Sequence, residues 1–224
     1  MPANAGPRIL VTANLDHIVQ LSQNEDFRRA YRRAWAATAD GMPVIMYAKL
    51  KRAGLPARVT GADLFQAVIA ALSPDRHRCF FVASTAETAR RLVDYLLARG
   101  FKREAIAIAV PPFRFDDDED FSRALAHRIA RHGTTHLFMG VGAPKSEVWT
   151  DRYRDSIGNC YVLNCGAALD FSAGTKKRAP LVMRRAGLEW LWRFAQEPQR
   201  LYRRYFVYSW RFLGEVAKDL AAAR

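Results

Sequence analysis

The chain has 224 residues, 50% of them hydrophobic, with 35 Lys and Arg against 22 Asp and Glu and a formal net charge of +13. Half-apolar composition with 13 Gly and 10 Pro excludes collagen-like, low-complexity and wholly disordered chains, and the length suits one domain with an appendage. The charge implies an anionic partner: nucleic acid, phospholipid headgroups or a phosphorylated substrate.

The N-terminal stretch lacks the apolar core of a signal peptide, its hydrophobic run being only Ile9 to Val11. Short apolar runs predict strands at Arg8–Ala13, Cys79–Ala83, Ala105–Val110, Thr135–Val141 and Asn159–Asn164. Stretches of helical period lie at about 15–37, 62–73, 86–98, 119–132 and 144–157. Strands rich in Val, Ile, Leu and Phe that alternate with helices predict an α/β fold, a Rossmann-like parallel sheet with helices on both faces. Ser84-Thr85 suits a helix N-cap, and Gly100 and Gly133 stand where helices end. Cys79, Cys160 and Cys165 are an odd count at spacings unlike a disulfide framework, and the five histidines are scattered, without zinc-ligand spacing. With no run of 18 apolar residues, the expectation is a cytosolic, reduced protein, and no residue pattern calls for a metal or other cofactor.

After Gly174 the pattern changes. Residues 176–224 hold 12 basic and 4 acidic side chains, a net +8 of the +13, and nine of the aromatics lie between Trp190 and Phe212. Pro198 opens a new helix better than it continues one. From Leu201 the positions Leu201, Tyr205, Tyr208, Phe212 and Val216 keep helical spacing with arginines between them, an amphipathic basic-aromatic pattern. The predicted division is an α/β domain over 1–186 and a helical C-terminal appendage over 187–224. Arginine predominates among the appendage cations, which favours bidentate phosphate contact.

Ligands of open parallel sheets sit beyond the carboxyl ends of the strands. There the first strand offers Thr12-Ala-Asn14, a hydroxyl and an amide that equally suit a helix cap. The fourth gives Gly140-Val-Gly-Ala-Pro-Lys-Ser-Glu147, either a tight strand–helix turn or a helix start with N–H groups free for phosphate. The fifth gives Asn164-Cys-Gly-Ala-Ala-Leu-Asp170, a small-residue turn that a ligand can approach. Asp40 before Gly41 reads as a turn residue or a cap when taken alone. The run Asp116–Asp120 contains a DxD pattern, yet five adjacent acids read as a solvated loop or an acidic helix start.

In order along the chain, Thr12-x-Asn14, Ala39-Asp40-Gly41-x-Pro43, Arg58-Val-Thr-Gly61-x-Asp63, Gly142-Ala-Pro-Lys-x-Glu147, Gly166-x3-Asp170-Phe-x2-Gly174, Lys177-Arg-Ala-Pro180, Gly187-Leu-Glu-Trp190-x2-Arg193 and Glu197-Pro-x-Arg200-Leu-x2-Arg203-Arg-Tyr205 together resemble the WecG/TagA/CpsF family of bacterial glycosyltransferases, glycosyltransferase family 26. The resemblance implies a hexosyltransferase-type enzyme that moves a sugar from a UDP-sugar donor to a polyprenyl-diphosphate-linked saccharide in surface polysaccharide synthesis. It further implies inversion and no metal. By resemblance Asp40 is the base, Thr12 and Asn14 flank the donor, and Arg58, Gly142, Pro144, Lys145, Ser146, Glu147 and Asp170 line the substrate site. Arg193, Arg200 and Arg203 match appendage arginines that close over it. The family usually has Gln where this chain has Ser146, so the donor sugar does not carry over.

The expected partners are thus the donor, the lipid-linked acceptor and, through the appendage, the anionic inner face of the plasma membrane; homo-oligomerisation is left open. A basic nucleic-acid-binding module that uses the Arg-aromatic tail is the runner-up. A Rossmann enzyme of other chemistry is disfavoured because no GxGxxG follows the first strand.

Overall fold

The computed structural model describes residues 6–55, 57–202, 206 and 208–222. In chain order the elements are β1 (Arg8–Ala13), α1 (Leu15–Gln23), α2 (Glu25–Arg32), β2 (Ala36–Ala39), α3 (Met42–Leu50), α4 (Gly61–Ala71), β3 (Cys79–Val82), α5 (Ala86–Leu97), β4 (Ile106–Ala109), α6 (Glu119–Arg131), β5 (His136–Met139), α7 (Lys145–Arg152), β6 (Tyr161–Asn164) and α8 (Ala168–Ser172). The tail adds α9 (Leu181–Arg185), α10 (Glu189–Gln196), α11 (Pro198–Tyr202) and α12 (Tyr208–Ala222). The six strands form one parallel sheet in the order β2-β1-β6-β5-β3-β4. This is the expected Rossmann-like α/β architecture.

The strands are buried on both faces because both are covered. In β3, Phe80 and Val82 join Leu137, Trp149 and Val162 on one side, while Cys79 and Phe81 join Phe65, Leu92 and Leu163 on the other. That is the alternation a pleated strand imposes. All four β3 residues and all four β5 residues are buried, which is why they read in sequence as unbroken apolar runs.

The predicted helix over 15–37 is instead two helices and a strand. Asn24 divides them: its N–H reaches Gln20 O at 2.8 Å to close α1, and its Oδ1 accepts from Phe27 N–H at 3.0 Å to open α2. Ala36–Ala39 then pairs with β1 as the sheet edge. Its Ala-Ala-Thr-Ala sequence is held by backbone bonds and carries little strand propensity of its own. Helix α3 falls in a stretch the sequence analysis left unassigned.

The stripe predicted from Leu201 starts in α11 and runs on in α12; Arg203, Arg204, Tyr205 and the side chains of Arg185, Arg200 and Tyr208 lie outside the described residues. Leu201 and Phe212 are buried. Helix α12 packs on α1, the Phe212 ring meets Tyr47 edge-on at 6.5 Å, and Asp219 takes an ion pair from Lys51 at 2.9 Å and a hydrogen bond from the Tyr47 hydroxyl. Of the stripe, Leu201 and Phe212 therefore seat the tail on the body, and Trp210 and Leu213 face out instead.

Candidate active site

Two cavities open at the carboxyl ends of the strands. The smaller, about 330 Å³, lies between α3, the start of α4 and α10; the larger, about 650 Å³, lies over the ends of β1, β3, β5 and β6. They share a wall of Asn14, Asp40, Cys165, Ala167 and Arg193. Among the described lining residues, Asp40 is the one carboxylate and Arg193 the one cation common to both.

Asp40 follows β2 directly, with its N–H held by Ala13 O at 2.7 Å. It is not a helix cap: Gly41 stands at the N-cap of α3, and the Asp40 Oδ2 instead accepts the Gly61 N–H at 3.3 Å. A Cβ on Gly61 would lie 3.4 Å from Cys165 O and 3.6 Å from Thr12 Oγ1, ordinary contact distances, so the start of α4 lies against the strand ends. Burial, first of all, pushes the Asp40 carboxyl above the ordinary carboxylate range. The Gly61 bond opposes this, Glu189 adds to it, and Arg193 and Arg58 pull the other way.

Thr60 caps α4 and receives Arg178 Nη2 at 3.1 Å, while Arg178 also bonds Asp63 at 2.7 Å and Glu189 at 3.3 Å. Arg58 lies 4.0 Å from Glu189 and donates to Arg184 O at 3.3 Å. Glu189 thus gathers two arginines and ties the tail to the rim of the smaller cavity. The Arg193 guanidinium sits over the Phe171 ring at 6.0 Å, a contact that orients it.

Around the larger cavity, Asp170 accepts from Ser84 Oγ at 3.0 Å and Thr88 Oγ1 at 2.9 Å, and lies 3.9 Å from Lys176. Lys176 also bonds Glu197 at 2.7 Å. Asp170 thus fixes the loop that carries Lys176. Thr12 Oγ1 reaches Asn164 O at 3.3 Å, and Asn14 both lines the cavities and caps α1 through His17 N–H at 3.2 Å. His17 pairs with the Tyr31 hydroxyl, whose pKa is raised by burial and by the charges of Glu147 and Asp40.

The glycine turn after β5 differs from an open phosphate cradle. The Ser146 N–H is spent on Gly142 O at 3.0 Å, and Glu147, buried in the first turn of α7, lines the cavity with Gly142 and Ser146. A carboxylate thus already stands at the positive end of this helix. Lys145 and Pro144 line neither cavity; the Lys145 ammonium lies over Phe113 at 4.8 Å and 3.7 Å from Asp116. The acidic run is a helix start, with Asp118 capping α6 and Asp117 paired to Arg114 at 2.6 Å.

Of the residues expected at the site, the structure brings together Thr12, Asn14, Asp40, Arg58, Gly142, Ser146, Glu147, Asp170 and Arg193. Sequence reasoning missed His17 and Lys176, and it took in Glu189 and Asn164 only as parts of longer segments, without a role of their own. Glu189 lay within the GLEW motif, and Asn164 was visible as an amide ending a strand otherwise apolar. The runner-up, a nucleic-acid module that uses the Arg-aromatic tail, finds no support.

Known proteins match this chain along most of its length. It is 26% identical over 191 residues to a Bacillus spizizenii protein named N-acetylglucosaminyldiphosphoundecaprenol N-acetyl-beta-D-mannosaminyltransferase, covering 85% of this chain and 72% of that one. It is 23% identical over 194 residues to a protein of the same name from Staphylococcus aureus strain MW2, covering 87% and 74%. The family model described as "Glycosyl transferase WecG/TagA/CpsF family" matches residues 1–224. A carboxylate and a cation shared by two adjoining cavities thus occur in a chain that belongs, over its whole length, to the WecG/TagA/CpsF family of glycosyltransferases.

Proposed function

We propose that this protein transfers a sugar from a UDP-sugar to a polyprenyl-diphosphate-linked saccharide, with inversion and without a metal ion, while lying on the inner face of the plasma membrane. The observation that carries the reading is Asp40 in the wall common to both cavities. The larger cavity takes the donor. The smaller, bordered by Met42, Trp190 and Phe206, takes the acceptor next to its lipid. The relatives' names supply the acceptor class, a diphosphoundecaprenol-linked N-acetylglucosamine.

In this arrangement the Asp40 carboxylate takes the proton of the acceptor hydroxyl as its oxygen attacks the anomeric carbon. The bond from that carbon to the diphosphate oxygen breaks on the opposite face and UDP departs, so a single displacement inverts the centre. A carboxylate whose pKa is raised by burial is the stronger base. Arg193 and Lys176, which line the larger cavity, supply positive charge for the departing diphosphate, and one oriented donor of this kind contributes about 3 kcal/mol in the transition state. Arg200 and Arg203 belong to the same proposal as groups that close over the site.

Membrane docking is supported by exposed apolar side chains flanked by cations. Met46 and Leu50 on α3 are 66% and 63% exposed, and Trp210 on α12 is 74% exposed. From Gly41 to Ala62 the chain carries Lys49, Lys51, Arg52 and Arg58 and no acid. Among the described residues no helix is long and apolar enough to cross a membrane.

The test is Asp40→Asn in the full chain, assayed with UDP-N-acetylmannosamine and an N-acetylglucosamine-diphospho-lipid. Turnover is expected to fall by about 100-fold or more with UDP binding retained; near-normal turnover overturns the base assignment. EDTA is expected to leave wild-type turnover unchanged, and an absolute need for added Mg²⁺ or Mn²⁺ overturns the metal-free reading.

A further inference from the structure

Asn164 ends β6, is 2% exposed and lines the larger cavity. The way its amide faces follows from its neighbour. The buried Thr150 hydroxyl donates to Ser146 O at 2.8 Å and reaches Glu147 O at 3.1 Å. Carbonyls only accept, so the one hydroxyl proton is committed and Thr150 has lone pairs alone to offer Asn164. The amide therefore gives Nδ2 to Thr150, at 3.3 Å, and turns Oδ1 the other way. That oxygen is buried and has no hydrogen-bond partner among the described residues, and the same holds for Oγ of Ser146, which is 1% exposed on the first turn of α7. Native chains seldom leave such atoms unmet, because their desolvation is then uncompensated.

We propose that Asn164 Oδ1 and Ser146 Oγ form a recognition subsite for a hydrogen-bond-donating group of the sugar nucleotide, with Asn164 as its specificity-determining acceptor. The proposal rests on the UDP-sugar reading above. The chemistry of the surrounding wall narrows the ligand group. Asn164 Oδ1 only accepts, so a phosphate oxygen, itself an acceptor, finds no partner in it. A hexose hydroxyl or the uracil imide N–H fits. Ser146 stands where the family resemblance breaks, and a side-chain amide reaches this cavity from β6 instead.

The experiment compares the full-length wild type with Asn164→Leu, Ser146→Ala and Thr150→Val by calorimetric binding of UDP, UDP-glucose, UDP-N-acetylglucosamine and UDP-N-acetylmannosamine, with thermal unfolding as the check on folding. Asn164→Leu is expected to weaken binding about tenfold, the worth of one hydrogen bond in a buried site. Loss confined to the UDP-sugars places the contact on the hexose, and equal loss with UDP places it on uracil. Ser146→Ala is expected to lose less, and Thr150→Val, which removes the amide's anchor but keeps its acceptor, to stay within about threefold of wild type. The subsite is overturned if folded Asn164→Leu binds all four nucleotides like wild type. It is equally overturned if Thr150→Val weakens binding as much as Asn164→Leu, for the amide would then be only a spacer. If wild type itself binds none of the four, the UDP-sugar reading fails, and the subsite with it.

Discussion

Asp40 is held by one backbone N–H and sits among charges of both signs, so its proton affinity is set by what surrounds it. As the proposed base it must be ionised, and activity is lost as pH falls through its raised pKa. The acid limb of kcat/KM is expected above the ordinary aspartate value of about 3.9. Arg193→Gln removes a cation that favours the carboxylate and moves the limb to higher pH; Glu189→Gln removes a like charge and moves it lower. A pH–rate profile on each variant checks the signs, and shifts in the same direction would discard the assignment. The same burial has a stability consequence. A folded-state pKa above the unfolded one means that this group's contribution is full below the unfolded pKa and is lost as pH rises through the folded value. Asp40→Asn is therefore expected to raise the Tm at neutral pH and to change it little in acid, with thermal scans at both pH values as the measurement.

At the scale of elements, the small-residue turns after β5 and β6 serve packing as well as the site. A Cβ on Gly140 would lie 2.5 Å from Leu169 Cδ1 and 3.1 Å from Val82 O, and Leu169 is buried on α8, the helix that carries Asp170. Gly140→Ala is expected to cost about 1–3 kcal/mol of stability, read from chemical denaturation. Much of this layer was legible in the sequence. Strands β1, β3, β4, β5 and β6 announced themselves because burial demands apolar runs, and α4, α5 and α6 by their helical period, with the cap of α5 at Thr85 also visible. Strand β2 was not legible, since an alanine-rich edge takes its conformation from the neighbour it pairs with. The site divided along the same line. Glu147 and Asp170 were visible as acids beyond strand ends and Asp40 only through the family motif that contains it, but the outward turn of Lys145 and the inward turn of Lys176 depend on Asp116 and Glu197, contacts with no local signature.

At the scale of the molecule, the excess charge noted first in composition is partly spent inside. Arg178 and Lys176 bind the tail's own start to Asp63, Glu189 and Glu197, and α12 is fastened to α3 through Asp219. What remains outward is an apolar surface on α3 and α12 with cations beside it. Each such side chain that enters a bilayer contributes roughly 1 kcal/mol when partly immersed. Replacing Met46, Leu50 and Trp210 together by Ser is expected to lower sedimentation with anionic vesicles by at least about tenfold, with far-UV circular dichroism unchanged. Undiminished sedimentation would move the docking surface elsewhere.

The wall that the two cavities share has a thermodynamic consequence. Arg193 and Asp40 border both chambers, so whatever fixes them on one side changes the surface met on the other. The occupancies of the chambers are then linked variables, and linkage is reciprocal: the factor by which the first ligand alters affinity for the second equals the factor by which the second alters affinity for the first. In an enzyme whose acceptor stays confined to a surface while its donor diffuses freely, that reciprocity lets a two-dimensional population of lipid tune the hold on a soluble nucleotide.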